Sequence, residues 1–267
     1  MDLKLKGRSV LITGASRGIG LAIARMFASE GCALHLAARD PDRLRKVADE
    51  IGNTHGVPVA VHPCDLSRTA DVERLGGACG EVDILVNNAG STPRGNLQEI
   101  DGATWRRAWD LKVFGFIDLT RIIVPRMYAR RRGVVVNVIG SAGEHPEPNY
   151  IAGCVGNAAL IMFVQCLGAE SIRHGVRVVA VNPGPIMTDR FLEGVQRRAE
   201  RQYGDASRWP ELLKSELPRG QAGTPEEVAH TVVFLASDLA ANTSAACIRI
   251  DGGFLSHFRA SGARTSA

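Results

Sequence analysis

A glycine-rich turn near the N-terminus constrains this 267-residue chain more than any other feature. The aliphatic run Val10–Thr13 leads directly into Gly14-Ala15-Ser16-Arg17-Gly18-Ile19-Gly20, and apolar side chains at helical spacing follow. The turn therefore joins a strand to a helix. Gly14 permits a tight turn, Gly18 lets a pyrophosphate approach the backbone, and Gly20 lets the helix pack closely on the strand. Free N–H groups at the helix N-terminus would face that anion.

Short β-branched runs alternate with longer helical patterns along the rest of the chain. The predicted strands are Val10–Thr13, Ala33–Ala38, Pro58–His62, Ile84–Val86, Val134–Ile139, Val176–Val181 and Ala246–Ile250. The predicted helices are Gly20–Ser29, Pro41–Ile51, Thr104–Val124, Tyr150–His174 and Pro225–Ala236, with Asp40 and Thr224 as N-caps. This alternation predicts a three-layer α/β fold. It is a doubly wound, mostly parallel seven-stranded sheet of the Rossmann type, with three helices on each face.

We expect one dinucleotide-binding domain over residues 1–267, because no linker rich in Pro, Gly or Ser divides the chain. One segment, about residues 185–223, holds helical pieces but no strand. Such a long excursion is predicted to form a lid over the substrate site. Its apolar residues line the pocket or form the core of the lid itself: Phe191, Leu192, Tyr203, Trp209, Leu212 and Leu213. The polar tail, about residues 255–267, is expected to fray.

Composition argues against several classes of protein. The net charge of +4 is small and the basic residues are scattered, so nucleic-acid binding is not expected. The six cysteines form no Cys-x-x-Cys pair, which predicts reduced and mostly buried thiols and no metal site. The N-terminus has no signal-like pattern, and we expect no apolar run long enough to cross a bilayer. These features predict a soluble cytoplasmic protein without a membrane partner.

Further motifs place the glycine turn in a wider pattern. They are Asp65-Leu66, Asn87-Asn88-Ala89-Gly90, Asn182-Pro183-Gly184 with Thr188, and Asp251-Gly252-Gly253, each after a predicted strand. In this order, and with the spacing Gly-x-x-x-Gly-x-Gly, the chain resembles the short-chain dehydrogenase/reductase family over residues 6 to about 254. The resemblance implies interconversion of a small-molecule carbonyl and its alcohol with a nicotinamide cofactor. It also implies a homodimer or homotetramer formed through the long fifth and sixth helices.

The resemblance assigns cofactor contacts to matching positions. Besides Gly14, Ser16, Arg17, Gly18, Ile19 and Gly20, they are Asp65, Leu66, Asn88, Ala89, Gly90, Pro183, Gly184, Ile186 and Thr188. An acidic residue after the second strand would hold the ribose of NAD, but the strand here is followed by Arg39. The guanidinium groups of Arg39 and Arg17 suit the 2′-phosphate of NADP. Asp40 would reach a ribose hydroxyl if the strand ended one residue later.

All four catalytic positions of the family are substituted. The resemblance aligns the catalytic Ser with Gly140, the Tyr with Gly153, the Lys with Asn157 and an Asn of the fifth helix with Lys112. Asn157 can still hydrogen-bond the nicotinamide ribose, but it carries no charge.

Two interpretations remain open. In the first the catalytic site is displaced: Ser141 lies one residue after the expected Ser, Tyr150 lies nearly one helical turn before the expected Tyr, and Lys112 returns an ammonium. The protein is then an NADP(H)-dependent oxidoreductase. In the second the protein binds NADP(H) without turnover, as a redox sensor or partner subunit. Those three residues are then a turn residue, a packing residue and an ion-pair partner of Asp110 or Glu144. His145 is a further candidate proton donor.

Overall fold

The computed structural model describes residues 2–257, in which seven strands form one sheet. The strands are β1 Ser9–Thr13, β2 Ala33–Ala38, β3 Val59–Pro63, β4 Ile84–Asn87, β5 Gly133–Val138, β6 Val176–Pro183 and β7 Cys247–Ile250. Their order is β3-β2-β1-β4-β5-β6-β7, and every neighbouring pair is parallel. The predicted doubly wound seven-stranded sheet is confirmed, and it is fully rather than mostly parallel.

Helices cover both faces of the sheet. They are α1 Gly18–Ser29, α2 Pro41–His55, α3 Thr69–Ala78, α4 Gly102–Trp109, α5 Gly115–Arg130, α6 Ile151–Ser171, α7 Asp189–Tyr203, α8 Trp209–Glu216 and α9 Pro225–Ala236. One core lies between the sheet and α1, α2 and α9, and the other lies between the sheet and α3, α5 and α6. Because both faces are covered, a central strand such as β5 is buried along its whole length.

Two helical features depart from the sequence prediction. Helix α3 was not predicted, and its two adjacent glycines, Gly76 and Gly77, explain its weak helical signal. The single helix predicted over 104–124 is instead α4, a π-helical turn at Asp110–Phe114, and α5. A π-helical turn inserts one residue into the helical register and is frequent at functional sites. Here it changes which residues face the sheet.

The segment of residues 185–223 forms a small unit with its own core. Its ends are joined, because the N–H of Gly223 donates to the carbonyl of Pro185 and the N–H of Met187 donates to the carbonyl of Gly223. Of the two alternatives for its apolar residues, Leu212 and Leu213 are buried in the core of the segment itself. Phe191, Tyr203 and Trp209 pack against that core. Its role as a lid remains a prediction.

The described part of the chain ends at residue 257. Residues 254–257 form a helical turn, in which the N–H of His257 donates to the carbonyl of Gly253 and Leu255 is buried. The frayed tail, about residues 255–267, remains a prediction. The rest of that tail, residues 258–267, lies outside the described residues.

One helical stretch, Ile151–His174, is long and apolar enough to span a membrane, contrary to the expectation from the sequence. Its buried residues Leu160 and Val164 belong to the core beneath the sheet. The core helix of a globular protein can have the same length and composition, so these two properties are weak evidence for a membrane span.

The start of α9 yields a stability prediction. Thr224 accepts the N–H of Glu227, and the Glu227 carboxylate accepts the N–H of Thr224, which completes the predicted capping box. Thr224→Ala should lower the free energy of unfolding by about 1 kcal/mol, measured by urea denaturation, because one helical N–H loses its partner. Thr231→Ala makes the same chemical change inside the same helix and is the control. An equal loss in the two variants would contradict the capping role.

Candidate active site

The glycine turn adopts a backbone that only glycine accommodates easily. Gly14 and Gly18 have φ values of +66° and +55°, in the left-handed region. A Cβ added to Gly20 would lie 2.8 Å from the carbonyl carbon of Gly14, so α1 packs directly on the end of β1. The space beside Gly18 is bounded by Thr188, whose methyl group would lie 3.3 Å from an added Cβ. The turn thus has the shape required to bind a pyrophosphate.

The loop after β4 is tied to this turn by Thr13 and Asn88. The Asn88 amide donates to the carbonyls of Thr13 and Gly14 at 2.9 and 3.3 Å. The Thr13 hydroxyl donates to the carbonyl of Val86 and accepts the N–H groups of Asn88 and Ala89. The predicted residues after β1 and β4 therefore form one connected unit at the carboxyl edge of the sheet.

The residues at the predicted adenosine end are arranged around α2. Strand β2 ends at Ala38, and Arg17 and Arg39 are exposed. The Asp40 carboxylate caps α2 by accepting the N–H groups of Asp42 and Arg43. Both N–H groups donate to Oδ1 of Asp40, the residue that the sequence left as a candidate for binding a ribose hydroxyl.

Arg43 joins this end of the site without having been predicted. Its Nε donates to the carbonyl of Ser16 at 3.0 Å, and its guanidinium lies 3.9 Å from the carboxylate of Asp189 on α7. It thus connects the glycine turn to the segment of residues 185–223. The only signal in the sequence was its place three residues after the N-cap Asp40.

The other predicted cofactor positions also lie at the ends of strands. After β3, the Asp65 carboxylate accepts the N–H and hydroxyl of Ser67, and Leu66 is buried against Gly115. Pro183 ends β6, and the N–H of Gly184 donates to the carbonyl of Ile250. Ile186 forms a bridge to Gly223 at the base of the segment of residues 185–223.

Gly140 and Asn157 are in direct contact. Gly140 has a φ of +139°, and a Cβ added to it would lie 3.0 Å from the Asn157 amide nitrogen. Asn157 is 2% exposed, and its Oδ1 has no hydrogen-bond partner within residues 2–257. A buried acceptor of this kind calls for a donor. A ribose hydroxyl of a nicotinamide cofactor would supply one, so the residues present fit such a cofactor.

The Tyr150 ring lies over Gly153, the position that the family resemblance assigns to tyrosine. A Cβ added to Gly153 would overlap the ring, since Cε2 of Tyr150 would be 2.6 Å away. The ring is held at both ends. Its hydroxyl forms a short hydrogen bond with the Thr92 hydroxyl, and the Arg94 guanidinium lies 5.1 Å from the ring centroid. Tyr150 therefore takes the space that a side chain at position 153 would occupy.

Lys112 lies on the π-helical turn, with its side chain directed into the protein. It is 9% exposed, and its Nζ donates to the carbonyl of Ile139 at 2.7 Å, rather than pairing with Asp110 or Glu144. Burial, together with the positive charge of Arg190, lowers the pKa of the Lys112 ammonium to about 8. The stem of Lys112 also packs against Gly90, where an added Cβ would lie 2.9 Å from Cδ.

The three candidate catalytic residues are not joined by hydrogen bonds to one another. Tyr150 bonds to Thr92 and Lys112 to Ile139. Ser141 is buried at the start of a 3₁₀ turn, directly after Gly140. Thr92 was not predicted from the sequence, but its hydroxyl is the hydrogen-bond partner of the Tyr150 hydroxyl. The carbonyl of Thr92 accepts a hydrogen bond from Arg190. Its place in the loop after β4 was the only sequence signal.

The chain is similar to known oxidoreductases over nearly its whole length. A family profile described as Enoyl-(Acyl carrier protein) reductase matches residues 14–255. The 3-oxoacyl-(acyl-carrier-protein) reductase of Aquifex aeolicus is 32% identical over 262 residues, which cover 95% of this chain and 99% of the relative. The galactitol 2-dehydrogenase (L-tagatose-forming) of Cereibacter sphaeroides is 31% identical, over 94% of this chain and 96% of the relative.

A solved structure is also similar to this chain over nearly its whole length. The L-sorbose reductase of Gluconobacter frateurii, complexed with NADPH and L-sorbose, superposes with a TM-score of 0.91 at 33% sequence identity. The match covers 96% of this chain and 99% of that chain. The two chains therefore share the whole architecture.

The buried ammonium of Lys112 predicts a pH dependence of stability. A lysine in an unfolded chain has a pKa of about 10.4, and the folded protein lowers that of Lys112 to about 8. The folded protein thus releases the Lys112 proton at a lower pH than the unfolded chain does. The free energy of unfolding should therefore rise as pH increases from about 8 to about 10.4. Relative to Lys112→Met, the gain should be about 3 kcal/mol.

The measurement is urea denaturation of both proteins across this pH range. Other titrating groups are common to the two proteins and cancel in the difference. Lys46→Met, which removes an exposed lysine from α2, controls for the loss of one charge. A difference between wild type and Lys112→Met that stays constant with pH would contradict the assignment.

Proposed function

The chain belongs to the short-chain dehydrogenase/reductase family of NAD(P)-dependent oxidoreductases, and from this premise we propose that it interconverts a small carbonyl compound and its alcohol with NADP(H) at a rearranged catalytic site. The observation that carries the proposal is the Tyr150 ring lying over Gly153. The ring fills the space at the start of a side chain at position 153, where the family has its tyrosine, and this supports Tyr150 as the replacement proton donor.

Two observations support NADP(H) as the cofactor. Arg17 and Arg39 are exposed beside the glycine turn and at the end of β2, where they suit a 2′-phosphate. The nearest acidic candidate for a ribose hydroxyl, Asp40, is engaged in capping α2. The bound cofactor would supply or accept a hydride at its nicotinamide ring. The glycine turn would hold its pyrophosphate, and Asn157 its nicotinamide ribose.

In the proposed mechanism Tyr150 donates a proton to the carbonyl oxygen during reduction and accepts it during alcohol oxidation. The Thr92 hydroxyl holds the Tyr150 hydroxyl by a hydrogen bond, and the phenolate would recover its proton from solvent water. Arg94 over the ring face and Gly153 beneath it keep the ring in one orientation. An alanine at position 153 would force the ring away.

Ser141 and Lys112 complete the proposed site. The Ser141 hydroxyl, directly after Gly140, would orient the substrate carbonyl. The Lys112 ammonium would add positive charge from beneath the end of β5. With its pKa lowered to about 8, Lys112 also titrates in the range where a proton is easily gained or lost.

The remaining proposals concern the assembly and the cell. We expect a homodimer or homotetramer, since apolar surface is exposed at Phe114, in the π-helical turn before α5, and at Val155 and Met162 on α6. Phe116, by contrast, is fully buried in the core. All six cysteines are free, which suits a reducing cytoplasm.

Arg39 gives a test of the cofactor. Arg39→Ala should weaken NADPH binding about tenfold or more and leave NADH binding nearly unchanged, because only NADPH carries the phosphate that the guanidinium would bind. Fluorescence titration of both cofactors measures the ratio. Arg45→Ala removes another exposed arginine, paired with Asp42 on the same helix, and is the matched control. Equal weakening of NADPH and NADH by Arg39→Ala would exclude the phosphate role.

Tyr150 and Gly153 give the test of catalysis. With a substrate found in a panel of ketones, aldehydes and ketoses, Tyr150→Phe should lower kcat about 100-fold or more, because the proton donor is lost. Gly153→Ala keeps the phenol but displaces its ring, so it should also lower kcat. Gly77→Ala is the control for adding a methyl group, since nothing lies within 4 Å of its Cβ position. NADPH affinity should stay unchanged in all three variants.

The outcomes separate the two candidate functions. Unchanged kcat in Tyr150→Phe would assign proton transfer to another group. Tight NADPH binding without turnover of any compound in the panel would favour the second candidate, a non-catalytic NADP(H)-binding protein. The uncharged Asn157 at the position of the family's lysine is the observation in favour of that candidate.

A further inference from the structure

Two histidines and a cysteine meet on the face of the sheet covered by α3, away from the candidate active site. The Nδ1 atom of His35 lies 3.0 Å from Nε2 of His62, and the same Nε2 lies 3.8 Å from Sγ of Cys79. All three atoms lie within 4.8 Å of one another. Cys79 is buried and the two histidines are half-buried.

The parallel pairing of β2 and β3 explains this arrangement. His35 is on β2 opposite Ala60, and His62 is on β3 opposite Ala37. Alternate residues of a strand share a face, so His35, Ala37 and His62 all point to the same side of the sheet. Helix α3 covers this side, and Cys79 directly follows its last residue. The two imidazole rings stack with their centroids 5.2 Å apart.

We propose that His35, His62 and Cys79 bind one Zn²⁺ ion. In tetrahedral zinc sites the Zn–N distance is about 2.0–2.1 Å and the Zn–S distance is about 2.3 Å. The ligand atoms are then about 3.3 Å apart for two nitrogens and about 3.5 Å apart for nitrogen and sulfur. The observed separations of 3.0 and 3.8 Å lie within a few tenths of an ångström of these values.

The protonation states of the two histidines suit metal binding, whereas the thiol of Cys79 must lose its proton. Burial lowers the pKa of His35, and burial together with His35 lowers that of His62, so both rings are neutral near pH 7 and keep a lone pair. Burial raises the pKa of the Cys79 thiol to about 12. On binding, the hydrogen shared between the two facing nitrogens moves to the outer nitrogen of its ring. Zn²⁺ takes both lone pairs and the thiolate, and the thiol proton leaves to solvent.

The fourth position of the tetrahedron is open to water or to Cys64. Cys64 follows β3 directly, is buried, and lies near enough to contribute to the raised pKa of Cys79. It also immediately precedes Asp65 and Leu66. A bound ion would therefore connect the edge strand β3, its neighbour β2 and helix α3 just before the predicted adenine contacts.

The sequence alone hides this site. His35 and His62 are 27 residues apart, and His62 and Cys79 are 17 residues apart. Zinc sites are recognised in sequences by ligands two to five residues apart within one element, whereas each ligand here comes from a different element. The expectation of no metal site rested on the absence of such a pair.

The test uses the full-length chain without a histidine tag, freed of metal by dialysis against a chelator and titrated with Co²⁺. We expect one Co²⁺ per chain at micromolar metal, with the intense visible bands of a tetrahedral site and a thiolate charge-transfer band, all abolished by one equivalent of Zn²⁺. Cys79→Ser should weaken the charge-transfer band, the double variant Cys64→Ser/Cys79→Ser should lose it, and His62→Gln should weaken binding at least tenfold. Cys166→Ser and His55→Gln, which alter residues outside the cluster, should bind as the wild type does.

Calorimetry of the wild type gives a second readout that does not depend on the variants folding. Zn²⁺ binding should release one proton if water is the fourth ligand and two if Cys64 is, and the affinity should rise about tenfold or a hundredfold per pH unit accordingly. Zn²⁺ should also raise the melting temperature of the wild type. No Co²⁺ binding by the wild type, or a charge-transfer band of unchanged intensity in Cys79→Ser, would overturn the proposal.

Discussion

The structure depends on the close approach of two glycines and one asparagine between the ends of β1 and β4. A side chain at Gly14 or Gly20 would collide with the backbone or with the amide of Asn88, and that amide bonds the carbonyls of Thr13 and Gly14. The strand order reverses at this point, so the crevice beside β1 opens here. Without this contact the helix N-terminus would not face the crevice, and the loop carrying Thr92 would lose its anchor.

The loop after β4 connects the proposed cofactor end of the site to its proposed catalytic end. It begins with Asn88 against the glycine turn and reaches Thr92, which bonds to the Tyr150 hydroxyl. Gly90 between them leaves room for the stem of Lys112. The two glycines that the resemblance aligns with catalytic positions each lie against another polar residue of the candidate site. Glycine at 153 admits the Tyr150 ring, and glycine at 140 lies against the Asn157 amide.

Lys112 shows how a local irregularity of the backbone serves this site. The π-helical turn carries the lysine inward, where it bonds the carbonyl of Ile139 at the end of β5. Burial of the ammonium lowers its pKa to about 8. A buried charge with a single carbonyl partner destabilises the folded protein. Groups with strongly shifted pKa values are concentrated at functional sites.

The sequence by itself determined the layers, the strands and the glycine turn, because these depend on local patterns: glycine spacing, apolar periodicity and capping residues. It also identified the capping box at Thr224. It missed α3, whose glycines weaken the helical pattern, and the π-helical turn, which periodicity does not reveal. Only the tertiary structure decided where Tyr150 points and that His35, His62 and Cys79 meet. Both depend on contacts between residues distant along the chain, which local spacing does not encode.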